Sequence, residues 1–176
     1  MRASTSVRPS LVLGVDPGTA VTGYGVVSVD ARGQHTLVEC GVIRTSAKEA
    51  LSQRLVDIHE GIVGLIARHQ PDRVAVESIF YARNVRTTIV LGHARGVILL
   101  AAAKAGVEID EFPPAEIKKA IVGTGAATKE QVQFMVTKIL RLKQAPQPAD
   151  AADGVAAALC SCMAPRILLP TLAETR

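Results

Sequence analysis

Four acidic residues occupy positions where acids are costly. Asp16 closes the apolar run Leu11-Val12-Leu13-Gly14-Val15, Glu77 closes Arg73-Val74-Ala75-Val76, and Asp150 and Asp153 open the Ala-rich stretch that runs on to Leu159. Each has an ordinary explanation. An Asp before Pro-Gly is a common turn residue, a lone strand Glu commonly faces water, and an Asp at the mouth of a helix caps it near the positive end of its dipole. Three such coincidences in one chain point to a common cause. A carboxylate taken out of water costs several kcal/mol unless it is paired or bound to a cation, and no run of basic residues in these strands matches them. Carboxylate oxygens without clustered His or Cys select hard cations, so Mg²⁺ or Mn²⁺ is the implied ligand, and such ions keep waters and bind substrate phosphates.

For that chemistry the acids must converge. Strand side chains alternate, so Val12, Gly14 and Asp16 share one face, as do Arg73, Ala75 and Glu77. A small residue precedes each acid by two positions, which leaves room for the Ala-rich helix to pack close. The hydropathy pattern predicts strands over 11–16, 23–29 and 36–43 as an antiparallel meander, then a helix over 47–69 and a strand over 73–77. A right-handed crossover through the first helix would lay the strand at Val74 parallel to and beside the strand at Leu11, making Asp16 and Glu77 neighbours. Further on, the pattern predicts a helix over 86–104, a strand over 107–112, helices over 115–122 and 128–142, and a last helix over 150–163. Thr128 with Gln131 reads as a capping box. Gly92 and Gly96 allow close approach of another backbone, in a dimer or within the chain. Gly154, directly after Asp153, costs about 1 kcal/mol relative to Ala in a helix, which suggests a less rigid site helix.

At 176 residues and 48 % hydrophobic content, the chain is long enough for one sizeable core and short for two. Only five aromatics accompany the Ala, Val, Leu and Ile, which favours an α/β protein with aliphatic layers. We expect one domain over 11–165, with tails over 1–10 and 166–176. Three cysteines (Cys40, Cys160, Cys162) fit neither a disulfide framework nor a zinc site, so reduced thiols and a cytoplasmic location are expected. The polar start and the short first apolar run support neither a signal peptide nor a membrane span. Between Phe80 and Ala145 there are ten Lys or Arg against five Asp or Glu. A basic lobe on a near-neutral body suits a polyanionic partner.

In order along the chain, Asp16-Pro-Gly-Thr with Thr22-Gly-Tyr-Gly, Val76-Glu77-Ser-Ile-Phe80 with Arg83-Asn84, Leu91-Gly-His-Ala-Arg95-Gly, Lys118 before Val122-Gly123-x-Gly125, and Ala149-Asp150-Ala-Ala-Asp153 resemble the RuvC-type Holliday junction resolvases. The likeness spans 11–163. It implies a ribonuclease H-like fold with a five-stranded mixed sheet flanked by helices, a homodimer, and an endonuclease that nicks opposed strands of a four-way DNA junction in recombination and repair. By the same resemblance Asp16, Glu77, Asp150 and Asp153 would be the catalytic and metal-binding acids, with two divalent cations per site and Asp16 bridging them. Lys118 and Lys129 match lysines that face DNA, Phe80 matches a residue that stacks on an unpaired base, and Arg83 and Arg86 belong to the basic segment beside it. RuvA and RuvB branch-migration proteins would be its partners. Two other readings are less complete. A YqgF-like RNA-processing nuclease shares the Asp-x-Gly start but predicts no Ala-Asp-Ala-Ala-Asp helix. An actin or sugar-kinase fold would need a second half and a second phosphate loop.

Overall fold

The computed structural model describes residues 8–78 and 85–165. The element order is β1 (Ser10–Asp16), β2 (Val21–Val29), β3 (His35–Arg44), α1 (Leu51–His69), β4 (Arg73–Glu77), α2 (Val85–Lys104), β5 (Glu108–Phe112), α3 (Pro114–Val122), α4 (Lys129–Ile139) and α5 (Ala149–Met163). The strands form one sheet in the order β3-β2-β1-β4-β5. β1, β2 and β3 pair antiparallel as a meander, whereas β4 lies parallel to β1 and β5 parallel to β4. This is the five-stranded mixed sheet expected of a ribonuclease H-like fold.

Alternation along the strands divides the core in two. Leu13, Val15, Val26, Val74 and Val76 face α1 and α2, where Ile58, Ile62, Leu65 and Ile98 complete a layer of large aliphatic side chains. Val12, Val27, Ala75 and Phe112 face α3, α4 and α5. Their main cover is α5, in which Ala151, Ala152 and every residue from Gly154 to Ser161 are buried. Small side chains let this helix lie almost on the sheet. A Cβ on Gly14 would run into the backbone of Ala158 and Gly154, and one on Gly154 would come within 2.5 Å of the Tyr24 Cα. Gly154 therefore does not loosen the site helix as its helix propensity suggested: it is the side-chain-free surface that lets α5 approach β2.

A buried polar network fixes the far end of α5. Arg73, only 5 % exposed, donates through Nη1 to Asp110 Oδ2 and to the Ser161 carbonyl, both at 3.1 Å, and Ser161 Oγ donates to Asp110 Oδ2 at 2.5 Å. An unpaired buried guanidinium would be strongly destabilising, so the position of α5 along β4 and β5 is specified as well as its depth.

Some boundaries differ from the sequence expectation. β1 begins at Ser10, one residue before the expected strand, and beside it Arg8 pairs with Asp72, whose other carboxylate oxygen accepts from the Leu11 N–H at 2.8 Å. α1 starts at Leu51 because the Glu49 N–H closes a turn on the Ser46 carbonyl. α4 ends at Ile139, and Arg141 then takes a left-handed φ of 52°. Among the described residues α2 is the one helix long and apolar enough to cross a membrane, but Ala94, Ile98, Ala101 and Ala102 pack it into the core.

Candidate active site

Asp16 and Glu77 stand where the register puts them. Gly14 pairs with Ala75 and Val15 with Val76, so the next residues along the two parallel strands are Asp16 and Glu77, on the face covered by α5. Gly23 is the antiparallel partner of Asp16 on β2. A Cβ at Gly23 would strike the Asp150 carbonyl, so the first turn of α5 is seated directly against the strand that flanks Asp16.

The aspartates of α5 do not serve as caps. Pro148 is the N-cap residue and no side chain caps the helix. Asp150 lies in the first turn and Asp153 one turn on, and three-residue spacing puts both on one helix face. The side chain of Asp153 is 14 % exposed and that of Asp150 is 43 % exposed. The helix dipole favours both charges.

Lys129 opens α4, a position fixed by the expected capping box: Gln131 N–H donates to Thr128 Oγ1 at 3.3 Å and the Thr128 N–H donates to Gln131 Oε1 at 2.8 Å. Its ammonium group reaches Asp153 Oδ2 at 2.7 Å and lies 3.9 Å from Asp150 Oδ1. Asp16, Glu77, Asp153, Lys118 and Lys129 line one cavity of about 260 Å³, closed by Pro114, Ile117, Val132 and Ala156. Asp150 is not part of that lining. Arg86 is exposed in the first turn of α2, while Phe80 and Arg83 lie outside the described residues. Among the described residues no cluster of three or more Asp, Glu, His or Cys is drawn together tightly enough to hold a metal ion as it stands.

The electrostatics of the cavity are those of crowded acids. Burial pushes the Asp16 carboxyl up to about 8, with further contributions from Glu77, Asp153 and Asp150, partly offset by Lys129. Burial likewise pushes Glu77 up to about 7, Asp153 adding to the effect and Lys118 and Lys129 opposing it. The hydrogen bond to Asp153 holds the Lys129 ammonium above the usual lysine range. Two carboxyls desolvated and set against each other form a site that gains from added positive charge.

A second set of residues escaped the sequence reading. The loop after Asp16 is held by Thr22 Oγ1, which donates to the Gly18 carbonyl at 2.6 Å, and by Thr45 Oγ1, which donates to the Thr19 carbonyl at 2.5 Å. Arg54 of α1 donates to the Thr19 carbonyl at 2.6 Å and to Thr45 Oγ1 at 2.9 Å. Thr22 lies inside a quoted motif, but nothing in the sequence marks Arg54, which belongs to a helix that otherwise covers the opposite face.

Known proteins share this fold. The family model described as crossover junction endodeoxyribonuclease RuvC matches residues 12–161. A RuvC crossover junction endodeoxyribonuclease from Pelotomaculum thermopropionicum is 47 % identical over 150 residues, covering 85 % of this chain and 91 % of the relative, and one from Syntrophomonas wolfei is 49 % identical over 149 residues, covering 85 % and 86 %. Among solved structures, Thermus thermophilus RuvC superposes with a TM-score of 0.79 at 39 % identity, covering 85 % of this chain and 92 % of that one. The same protein in complex with a Holliday junction substrate gives 0.77 at 36 % identity, covering 85 % and 91 %. The yeast mitochondrial resolvase Ydc2, at 13 % identity and a TM-score of 0.63, covers 91 % of this chain and 82 % of its own and shares the fold. With the family model matching residues 12–161 and relatives 47 % and 49 % identical over 85 % of its length, the chain belongs to the RuvC family of crossover junction endodeoxyribonucleases.

Proposed function

We propose that this chain is a divalent-cation-dependent endodeoxyribonuclease that resolves four-way DNA junctions by nicking two opposed strands. The observation that carries the proposal is the meeting of Asp16 and Glu77, from adjacent parallel strands, with Asp153 of α5 around a cavity whose other charged groups are Lys118 and Lys129. The donor set fits a hard cation: carboxylate oxygens, with the Asp16 and Glu77 carboxyls pushed up by burial and by neighbouring acids, a cost that a divalent charge would relieve. In our reading Asp16, Glu77, Asp150 and Asp153 would together hold two divalent cations, Mg²⁺ or Mn²⁺. Bound there, such ions supply Lewis acidity and charge neutralisation to phosphodiester hydrolysis.

The chain's own residues do the rest. The N-termini of α4 and α5 both open at the site, and helix N-termini favour an anion such as a backbone phosphate. Lys118, beside Glu77, neutralises charge on that phosphate, and Ile117, Val132 and Ala156 give the cavity low-dielectric walls that strengthen each interaction. Phe80 stacks on an unpaired base at the crossover, and Arg83 and Arg86 contact the flanking backbone. Residues 11–165 act as a single nuclease domain.

A homodimer would present two such cavities to the two opposed strands. It is supported by α2, where Val85, Ile89, Gly92, Gly96 and Leu100 fall on one stripe; Val85 is 72 % exposed, Ile89 56 % and Leu100 52 %. A Cβ on Gly92 or Gly96 would meet nothing within 4 Å among the described residues, so packing among those residues does not account for the pair. RuvA and RuvB are the partners proposed, in the cytoplasm.

The test is incubation of purified protein with a synthetic four-way junction, a linear duplex and an RNA hairpin, each with and without Mn²⁺. Paired, symmetric nicks in the junction alone, dependent on the cation, are expected. Cutting of the hairpin but not the junction would favour an RNA-processing activity and overturn the proposal.

A further inference from the structure

Lys129 is placed unusually for a lysine. As the first residue of α4 it lies at the positive end of that helix's dipole, where a cation is disfavoured. Its ammonium gains nothing from the dipole of its own helix and reaches across to α5, 2.7 Å from Asp153 and 3.9 Å from Asp150. The backbone is pinned by the Thr128–Gln131 capping box, but the side chain is 56 % exposed, so the four-carbon stem has solvent to swing into. The two carboxylates it holds are the same two that α5 offers to a cation. An ammonium hydrogen-bonded to Asp153 occupies oxygen lone pairs that a metal ion would use, and positive charges this close repel.

We propose that Lys129 is an internal counter-ion that competes with the divalent cation for Asp153 and Asp150, and that cation loading drives its ammonium group off the helix acids and frees it for the DNA phosphate. This rests on the reading of the four acids as the cation site and goes beyond it. It gives Lys129 two successive partners: the carboxylates of α5 before loading, the phosphodiester after it. The cation thereby sets when the lysine is available to DNA, and the lysine sets how much cation the site requires.

The test is calorimetric titration of the full chain with Mn²⁺ alone, with no DNA present. Lys129→Met should bind Mn²⁺ about tenfold more tightly than wild type, the size expected for losing one partly exposed charge-assisted hydrogen bond to a ligand. Lys129→Arg, which keeps a cation on Asp153, should stay near the wild-type affinity. Lys138→Met removes the same charge from the last turn of α4 and should change the affinity less than twofold, separating local competition from net charge. Unchanged or weaker Mn²⁺ binding by Lys129→Met would overturn the inference, as would equal tightening by Lys138→Met. Glu77→Gln separates this failure from failure of the site itself: if it binds Mn²⁺ as wild type does, or if no variant binds at all, the cation-site reading falls and takes the inference with it. If Glu77→Gln loses binding while Lys129→Met gains none, only the role of Lys129 is refuted.

Discussion

The two faces of the sheet are built from different materials. Toward α1 and α2 the core is filled by Leu13, Ile58, Ile62, Leu65 and Ile98, long side chains that keep helix and strand backbones apart and bury much apolar area. Toward α5 the contact is Gly14 and Gly23 against Ala158, Gly154 and Asp150, backbone nearly on backbone. A layer of large aliphatics can relax around a deletion by shifting rotamers. A glycine seam has no side chains to shift, so added volume must move α5 itself. One face therefore principally stabilises the fold, and the other principally fixes where Asp150 and Asp153 stand relative to Asp16 and Glu77.

Substitutions on the two faces should accordingly separate cutting from stability. The largest expected effect is chemical. Glu77→Gln should keep junction binding in a gel-shift assay and slow cleavage by roughly 10³-fold, the equivalent of about 4 kcal/mol of transition-state stabilisation. Next, Gly23→Ala should push the first turn of α5 off β2 and slow single-turnover cleavage by roughly 10²-fold, as expected for a displacement of about 1 Å at the site. Ile62→Ala, on the other face, should reverse the pattern: a loss of about 2–5 kcal/mol in urea unfolding, with the cleavage rate at 25 °C little changed while the chain remains folded. Equal loss of cutting from both variants would dissolve the distinction between the faces.

A pH test sharpens the same contrast, because the raised carboxyls all lie on the α5 side. Burial holds Asp16 at about 8 and Glu77 at about 7, whereas in the unfolded chain such groups titrate near 4. Between those values the folded state carries protons that the unfolded state has released, so in the presence of a chelator stability should fall as pH rises from about 4 to about 8. Asp16→Asn should flatten most of that slope in thermal melts and leave the protein more stable than wild type at pH 8. The same protons must leave before a cation binds, so cleavage at limiting Mn²⁺ should climb between pH 7 and pH 8. The smallest effect belongs to the outer stripe of α2: Ile89→Lys should lower the mass seen by sedimentation without changing the unfolding transition of the single chain.

Most of this arrangement could be read from the sequence because its cause is local. Period-two alternation places Asp16 with Gly14 and Glu77 with Ala75, and the small residue before each acid signals close packing whatever packs there. A right-handed crossover then makes the two strands neighbours. What could not be read depends on three-dimensional partners. The helix propensity of Gly154 suggested looseness, and only the Tyr24 backbone against it explains the residue. Capping was a sufficient reason for Asp150 and Asp153 until Pro148 proved to hold the cap position. Arg54 clamps the Thr19 carbonyl from the next helix, a contact set by side-chain reach with no pattern along the chain.

The central claim is that acids from β1, β4 and α5 share one cation site. Crystals soaked in Mn²⁺ at pH 8 and measured at the manganese edge test it most directly. The expected result is anomalous density ligated by Asp16, Glu77 and at least one of Asp150 and Asp153, with the Lys129 ammonium withdrawn from Asp153. Density confined to other surface acids, or a well-occupied crystal with none in contact with Asp16, would contradict it.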